Sequence, residues 1–388
     1  MLDLKDDPDR RSRDQSEPAR RNTAAGSETA PPAGMPRPER LPFVSVIMPV
    51  RNERDFIVQT LETVLTQELD CSLEVLVSDG RSDDGTREIV ESMARRDPRI
   101  RLIDNAGRIV STGLNEAIRL ARGVIVIRID AHTTYAPDYI ARCLEVLRET
   151  GADTVGGPWI ARGQGYRGRA IAAAFASAFA VGGARSHSPD YEGPIDSVYL
   201  GCWRREVFER VGLFDESLVR NQDDEWNLRL LRRGGVAWQS PRIRSEYSPR
   251  ESLRALFRQY LQYGFWKVAV IRKHRVPASW RHIVPGAFIL VLGGLIAAVP
   301  LHSGAALLLI GAISAYLAAV LAASVWTASR KGWDLLPILV LVFPAFHFGY
   351  GIGFVAGLLR WRALTKGNMF HSLTRVAADH ANVERSSR

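Results

Sequence analysis

Three apolar stretches in the first 130 residues each run straight into polar, acidic ends: residues 44–50 into Asn52 and Glu53, 73–77 into Asp79, and 124–129 into Asp130. One acid at a strand end is ordinary. Three converging on one edge of a parallel sheet make a ligand site, because in an open α/β sheet the crevice beyond the carboxyl ends of the strands is where ligands bind. Such a crevice is acidic, so its ligand must bring hydrogen-bond donors, a metal cation or both. A nucleotide base, a ribose and a divalent ion bridging a diphosphate meet all of these demands.

The intervening segments support that sheet. Residues 55–67 carry Ile57, Leu61, Val64 and Leu65 on one helical face, and the Gly/Asp/Ser-rich turn 80–86 supplies Asp or Ser to cap a helix beginning near Thr86. Residues 100–103 read as a third strand and 107–122 as the helix before the fourth, the alternation expected of βαβ units. No G-x-G-x-x-G follows the first strand, which removes the usual mark of a dinucleotide-dependent oxidoreductase. Cys71, Cys143 and Cys202 have neither C-x-x-C spacing nor a pairing pattern, and read as buried thiols rather than a zinc site or a disulfide frame.

Taken together, Val46-Ile47-Met48-Pro49-Val50-Arg51-Asn52-Glu53, Ser78-Asp79-Gly80-Arg81-Ser82-Asp83-Asp84-Gly85-Thr86 and Asp130-Ala131-His132 resemble, in order and spacing, the nucleotide-sugar site of family 2 glycosyltransferases. Within that family the chain looks most like the membrane-anchored glucosyltransferases of succinoglycan synthesis. The resemblance implies an α/β nucleotide-diphospho-sugar transferase (GT-A type) fold with a C-terminal transmembrane anchor, and a UDP-sugar donor. Pro49, Arg51, Asn52, Glu53, Asp79, Ser82, Asp130 and Ala131 are the implied nucleotide-sugar contacts, with Asp79 reading the uracil. Asp130-Ala131-His132 stands where the family carries D-x-D, two carboxylates that hold Mn²⁺ or Mg²⁺ against the diphosphate. Here histidine replaces the second acid, so Asp130 and His132 are the candidate metal ligands, His132 either ligating directly or bonding to phosphate or to groups behind the metal. Imidazole suits Mn²⁺ better than Mg²⁺.

Farther on, Asn221-Gln222-Asp223-Asp224-Glu225-Trp226 resembles the acceptor-side E-D motif, with Gln222 in the usual glutamate position and Asp223 as the implied catalytic base. A sugar hydroxyl is a weak nucleophile, and inverting transfer needs a carboxylate within hydrogen-bond reach of it. Gln222, Asp224, Glu225 and Trp226 are then acceptor-side residues. The competing reading is a helix start decorated with acids that complement its dipole, a role open to Asp224 or Glu225 even with Asp223 as the base.

Composition divides the chain further. Residues 1–40 are rich in Pro, Arg, Asp and Ser and are expected to be disordered, with no apolar stretch to make a signal peptide. Residues 41–250 would be the catalytic domain, 251–281 an amphipathic interfacial helix, 282–360 a membrane region and 361–388 a tail. Runs 283–301 and 305–326 are each long enough to cross about 30 Å of hydrocarbon. Run 335–359 either crosses or, with Pro337, Pro344 and repeated glycines, re-enters. Arg272, Lys273, Arg275 and Arg281 before the first run, and Arg330-Lys331 after the second, put those ends inside, giving a bacterial inner-membrane protein with its catalytic domain in the cytoplasm.

The net charge of +9 lies largely near the anchor, so anionic lipid headgroups and lipid-diphosphate acceptors explain it better than nucleic acid. The expected reaction moves a hexose, glucose foremost, from a UDP-sugar to a polyprenyl-diphosphate-linked saccharide in exopolysaccharide synthesis. The absence of a Q-x-x-R-W sequence favours single-sugar addition over polymerisation. The alternatives are transfer to polyprenyl phosphate, as in dolichyl-phosphate mannose synthase-like enzymes, and a non-catalytic membrane scaffold with a degenerate nucleotide pocket.

Overall fold

The computed structural model describes residues 44–364 apart from Asp70 and Ala278, with side chains described through Arg360; the expectations for residues 1–40 and for the tail past 364 lie outside the described residues. In chain order the strands are β1 (Val44–Val50), β2 (Leu73–Asp79), β3 (Ile100–Asp104), β4 (Ile125–Arg128), β5 (Thr133–Tyr135), β6 (Thr154–Gly157), β7 (Ile160–Ala161), β8 (Gly193–Pro194), β9 (Tyr199–Arg204), β10 (Ala237–Gln239) and β11 (Ser245–Tyr247). The helices are α1 (Ile57–Leu65), α2 (Thr86–Arg96), α3 (Val110–Leu120), α4 (Tyr139–Thr150), α5 (Gly165–Phe175), α6 (Ala178–Val181), α7 (Glu206–Val211), α8 (Gln222–Arg232), α9 (Leu253–His274), α10 (Val284–Ala298), α11 (Ser303–Lys331) and α12 (Leu336–Leu364).

Eight strands form the main sheet in the order β3-β2-β1-β4-β9-β6-β10-β8, and β5, β11 and β7 form a second, small sheet. β1 is buried along its length and alternates its side chains between two cores. Val44, Val46 and Met48 meet Ile57, Leu61 and Val64 of α1, while Ile47 meets Leu114 and Ile118 of α3 on the opposite face. β1 pairs in parallel with both β2 and β4, so the strand order reverses at β1 and a crevice opens beyond its carboxyl end. The end of β2 at Asp79, the loop after β1 with Asn52 and Glu53, and the end of β4 with Asp130 all open onto that edge. β9 then enters antiparallel between β4 and β6, making the sheet mixed rather than a continued βαβ series. Cys143 and Cys202 are buried and Cys71 is half-buried.

The apolar C-terminal region forms α10, α11 and α12. Run 283–301 does not form a full span: α10 has only 15 residues, about 22 Å at 1.5 Å per residue, with proline at its start and a turn after Val299. Run 335–359 lies within one helix, α12, which continues through Pro344 for 29 residues. Among the described residues, α11 and α12 are long and apolar enough to cross a membrane. Leu307, Leu308, Ile310, Leu317 and Leu321 of α11 are each more than half exposed, an apolar wall that suits lipid and not water.

The glycines of α12 have a packing role. A Cβ on Gly349, Gly353 or Gly357 would meet the carbonyl oxygen of Phe257, Leu261 or Phe265 at 2.8, 2.0 and 2.9 Å, and one on Gly264 of α9 would meet the Tyr350 carbonyl oxygen at 2.0 Å. Small residues four apart on α12 thus let it lie backbone to backbone on α9, as small-residue stripes do between membrane helices. Ala170, Ile171, Ala174 and Phe175 of α5 pack with Leu339, Val342, Phe343 and Phe346 of α12, tying the same helix to the α/β domain.

Candidate active site

Arg128, the last residue of β4, is the one charged side chain in an otherwise apolar strand and is 7 % exposed. Its guanidinium grips both carboxylate oxygens of Asp130, with Nε to Oδ1 at 2.8 Å and Nη2 to Oδ2 at 3.0 Å, while Nη1 reaches Asp223 Oδ1 at 2.6 Å. One planar cation therefore bridges the end of β4 and the start of α8. Burial opposes its charge, but the two carboxylates hold its pKa above the ordinary guanidinium range. Asp130 is fixed from behind as well: the Tyr135 hydroxyl accepts from its backbone N–H at 2.8 Å and donates to its carbonyl at 3.1 Å.

His132 lies across from the loop after β1, its Nδ1 3.2 Å from Glu53 Oε1. A carboxylate on one ring nitrogen fixes the tautomer and leaves the lone pair on Nε2, the arrangement in which histidine serves as a metal ligand. No three His, Cys, Asp or Glu side chains gather into a metal cage among the described residues. Ions such as Mg²⁺ are commonly held by one or two side chains plus substrate phosphates, and one carboxylate with one imidazole fits that mode for Mn²⁺.

The implied nucleotide residues are brought together, in a tighter form than the strand-end pattern suggests. Asn52 sits at φ +58° and exchanges hydrogen bonds with Asp83, its backbone N–H donates to Ser82 Oγ at 2.9 Å, and the Glu53 N–H donates to Thr86 Oγ1 at 2.9 Å. Asp84 accepts from the Thr86 N–H and hydroxyl, holding the start of α2. Asp79 is fully buried, not open to the crevice, and its carboxylate accepts from the Ser82 N–H and hydroxyl and pairs with Arg87 at 3.3 Å. Arg51 is half-buried, Pro49 lies within β1 opposite Ser78, and the Ala131 carbonyl accepts from Thr60 Oγ1 at 2.6 Å.

The first turn of α8 separates the acceptor-side candidates, because consecutive helical residues point about 100° apart. The loop leading into α8 is anchored by Asn115, which exchanges two hydrogen bonds with the Phe214 backbone, and by Ser111, which donates to the Leu218 carbonyl. Asp223 faces the crevice, 38 % open to it, with Gln222 Nε2 at 3.4 Å from its Oδ2. Its pKa is raised, chiefly because it lies deep within the protein and also because Asp130 and Asp224 are near, with Arg128 opposing. Asp224 pairs with Lys267 of α9 at 2.5 Å, an ion-pair partner rather than a dipole residue.

Glu225 and Trp226 point away from the cavity that Asp223 lines. Glu225 is fully buried among Arg229, Lys273 and His274, and Trp226 is fully buried with its Nε1 donating to the Gly212 carbonyl. A helix that must dock on both the sheet and α9 turns these two side chains inward.

A cavity of about 840 Å³ collects the rest. Arg128, Asp130, His132, Gln222, Asp223 and Asp224 line one part, and Trp159, Tyr199 and Tyr247 add an aromatic wall in which Trp159 and Tyr199 stack at 5.2 Å. From there it continues to Phe288, Tyr316 and Phe346 on α10, α11 and α12. The motifs alone did not reveal Arg128, Lys267 or the aromatic wall. The signal for Arg128 was present as a lone charge inside the apolar strand that ends at Asp130.

Comparison with known proteins agrees with this geometry. Residues 45–212 match the Glycosyl transferase family 2 model. The succinoglycan biosynthesis protein ExoA of Rhizobium meliloti is 31 % identical over 324 residues, 82 % of this chain and 95 % of that protein. A dolichyl N-acetyl-α-D-glucosaminyl phosphate 3-β-D-2,3-diacetamido-2,3-dideoxy-β-D-glucuronosyltransferase of Methanococcus voltae is 25 % identical, covering 84 % of this chain and 99 % of that one. Among solved structures, a mannosyltransferase of Pyrobaculum calidifontis, in complex with GDP-Man and Mn²⁺, superposes with a TM-score of 0.50 at 24 % identity over 79 % of this chain and 88 % of that one, a likeness of fold. The chain, whose α/β domain gathers Asp130, His132 and Asp223 around one cavity and which is similar over most of its length to such relatives, belongs to glycosyltransferase family 2.

Proposed function

We propose that this glycosyltransferase moves a hexose, glucose foremost, from a UDP-sugar to a polyprenyl-diphosphate-linked saccharide in bacterial exopolysaccharide synthesis, with inversion at the transferred carbon. The observation that carries the proposal is the single cavity that holds Asp130 and Asp223 at one part and the side chains of apolar helices at another. Such a space accommodates an acceptor whose sugar is polar and whose tail is hydrocarbon. The relative from Rhizobium meliloti, named for succinoglycan biosynthesis, supports the exopolysaccharide setting. The relative from Methanococcus voltae, named as acting on a dolichyl-linked sugar, supports a lipid-linked acceptor. We place the catalytic domain on the cytoplasmic face of the inner membrane, where nucleotide sugars are made.

In this reading the acceptor hydroxyl donates its proton to Asp223, its oxygen bonds to the anomeric carbon, and the bond from that carbon to the diphosphate breaks, releasing UDP. A raised carboxyl pKa suits a base, since it strengthens the proton acceptor. Arg128 keeps Asp223 and Asp130 in register, so that hydroxyl and donor meet in line. Asp130 and His132, the latter steadied by Glu53, would hold the divalent ion, which when bound supplies positive charge against the departing diphosphate. Asn52, Ser82, Arg51 and the loop closed by Asp79 would frame the uridine. Trp159, Tyr199 and Tyr247 offer apolar faces on which a hexose ring can rest.

The test is a donor panel of UDP-sugars against two acceptors, polyprenyl phosphate and a polyprenyl-diphosphate saccharide, with the purified protein in detergent. Hexosylation of the diphosphate-linked saccharide is the expected product. A product on polyprenyl phosphate would instead identify the dolichyl-phosphate mannose synthase-like reaction.

A further inference from the structure

Half of the lysine and arginine side chains lining the cavity are matched by a carboxylate. Arg128 holds Asp130 and Asp223, Lys267 holds Asp224, and Arg281 holds Asp196 at 2.5 Å. Three arginines on the same wall have no carboxylate partner among the described residues: Arg220 just ahead of α8, Arg250 just ahead of α9, and Arg258 on the second turn of α9. Arg220 has a hydrogen bond from Nε to Gln262 Oε1 at 3.2 Å, but this partner is neutral. Burial, with the positive charge of Arg250 added, pulls its pKa below the ordinary guanidinium range. Asp130 offsets part of the charge on Arg220 from a distance, but no carboxylate pairs directly with these guanidinium groups among the described residues, and since they remain charged in proteins their mutual repulsion favours an incoming anion.

The hydrogen-bonding groups beside them are arranged to donate. Gln259 Nε2 donates to both Tyr247 Oη, at 3.3 Å, and Tyr263 Oη, at 2.9 Å. Each phenol therefore already accepts, and its own proton is free for another acceptor. Burial pushes the Tyr247 pKa up to about 12, so that proton stays in place. Beyond these groups the cavity passes to Phe288, Tyr316 and Phe346, an apolar continuation matched to a hydrocarbon chain.

We propose that Arg220, Arg250 and Arg258, with the Tyr247 and Tyr263 hydroxyls, form an anion subsite for the diphosphate of the lipid-linked acceptor, whose polyprenyl chain leaves along Phe288, Tyr316 and Phe346. The inference rests on the reading that the acceptor is lipid-linked. It gives the cavity two anion sites, one at Asp130 for the donor through its metal and one at the arginines for the acceptor. Arginine suits the second task because its fork pairs bidentately with phosphate oxygens without a metal.

The test measures binding to the full chain in detergent by calorimetry, with farnesyl diphosphate as the anionic probe, farnesol as its uncharged counterpart, and UDP in parallel. The wild type is expected to bind farnesyl diphosphate at least about tenfold more tightly than farnesol, since charge-assisted contacts are lost with the diphosphate. The Arg250→Gln/Arg258→Gln variant is expected to lose roughly ten- to a hundredfold in farnesyl diphosphate affinity with UDP affinity unchanged, and the corresponding lysine variant to recover part of it. Arg250 is exposed and Arg258 half-buried, so both substitutions are tolerable to the fold, and each single variant is measured alongside. Unchanged farnesyl diphosphate binding in the double variant overturns the proposal. So does a loss of UDP affinity instead, which would assign the arginines to the donor. Failure of hexosyl transfer from UDP-glucose would be read in the separate turnover assay and would leave this binding result standing.

Discussion

Arg128 Nη1 stands 2.6 Å from Asp223 Oδ1 while the remaining nitrogens of the same guanidinium hold Asp130. Two carboxylates almost a hundred residues apart in sequence are thus set by one buried cation. The end of β4 and the start of α8 cannot shift independently while that bridge persists.

Arg128→Gln is therefore expected to lower both stability and transfer. Removing one partner of a buried ion pair costs about 3 to 5 kcal/mol, and the lower end applies because Asp223 is 38 % open to the crevice. Arg128→Lys keeps the charge but cannot span both carboxylates, so it should rescue stability more than turnover. Thermal unfolding in detergent together with a UDP-release assay checks this. A glutamine variant with the wild-type midpoint and rate would mean that the bridge has no role.

Glu225 gives a pH-dependent prediction away from the crevice. Burial alone would push its carboxyl up, but Lys273, Arg229 and His274 together hold its pKa below the ordinary 4.5. A depressed folded-state pKa adds stability that is fully present above the unfolded value and is lost as pH falls through the folded one. The thermal midpoint of Glu225→Gln should lie below that of the wild type by a constant margin above about pH 5, and the margin should close as pH falls below about 4.5. A margin independent of pH across that window would place the stabilisation in packing instead.

The α9–α12 contact is tested at Gly353, where a Cβ would meet the Leu261 carbonyl oxygen at 2.0 Å. Backbone cannot swing aside as a side chain does, so Gly353→Ala should destabilise by about 1 to 3 kcal/mol. Gly311→Ala on α11, with nothing within 4 Å, is the control and should be neutral or slightly stabilising. Equal midpoints for the two variants would remove the close contact.

The α/β core was legible because strand and helix periods are local: continuous burial in β1 and the Ile57, Leu61, Val64 stripe of α1 follow from residue spacing. The strand-end positions of Asp79 and Asp130 were legible for the same reason. Which acids face a ligand was not, because exposure depends on distant partners. Asp79 is enclosed by Ser82 and Arg87, and Glu225 by Lys273 and His274 from another helix. The antiparallel insertion of β9 depends on long-range pairing that no periodicity encodes. The glycines of α12, which in sequence leave both a crossing and a re-entrant segment open, acquire a packing role only beside the carbonyls of α9.

The central claim is that Asp223 takes the acceptor proton, and comparison with its neighbour tests it most directly. Asp224→Asn removes the partner of Lys267, which is 5 % exposed, and should act mainly on stability. Asp223→Asn keeps the shape and loses the proton acceptor, so kcat for transfer from UDP-glucose to the lipid-linked acceptor should fall by about 10²- to 10⁴-fold while UDP affinity is unchanged. The decisive measurement is that kcat, taken with the folded Asp223→Asn protein at saturating donor. A fall in that range with intact UDP binding is the predicted result, and a rate equal to the wild type would contradict the account.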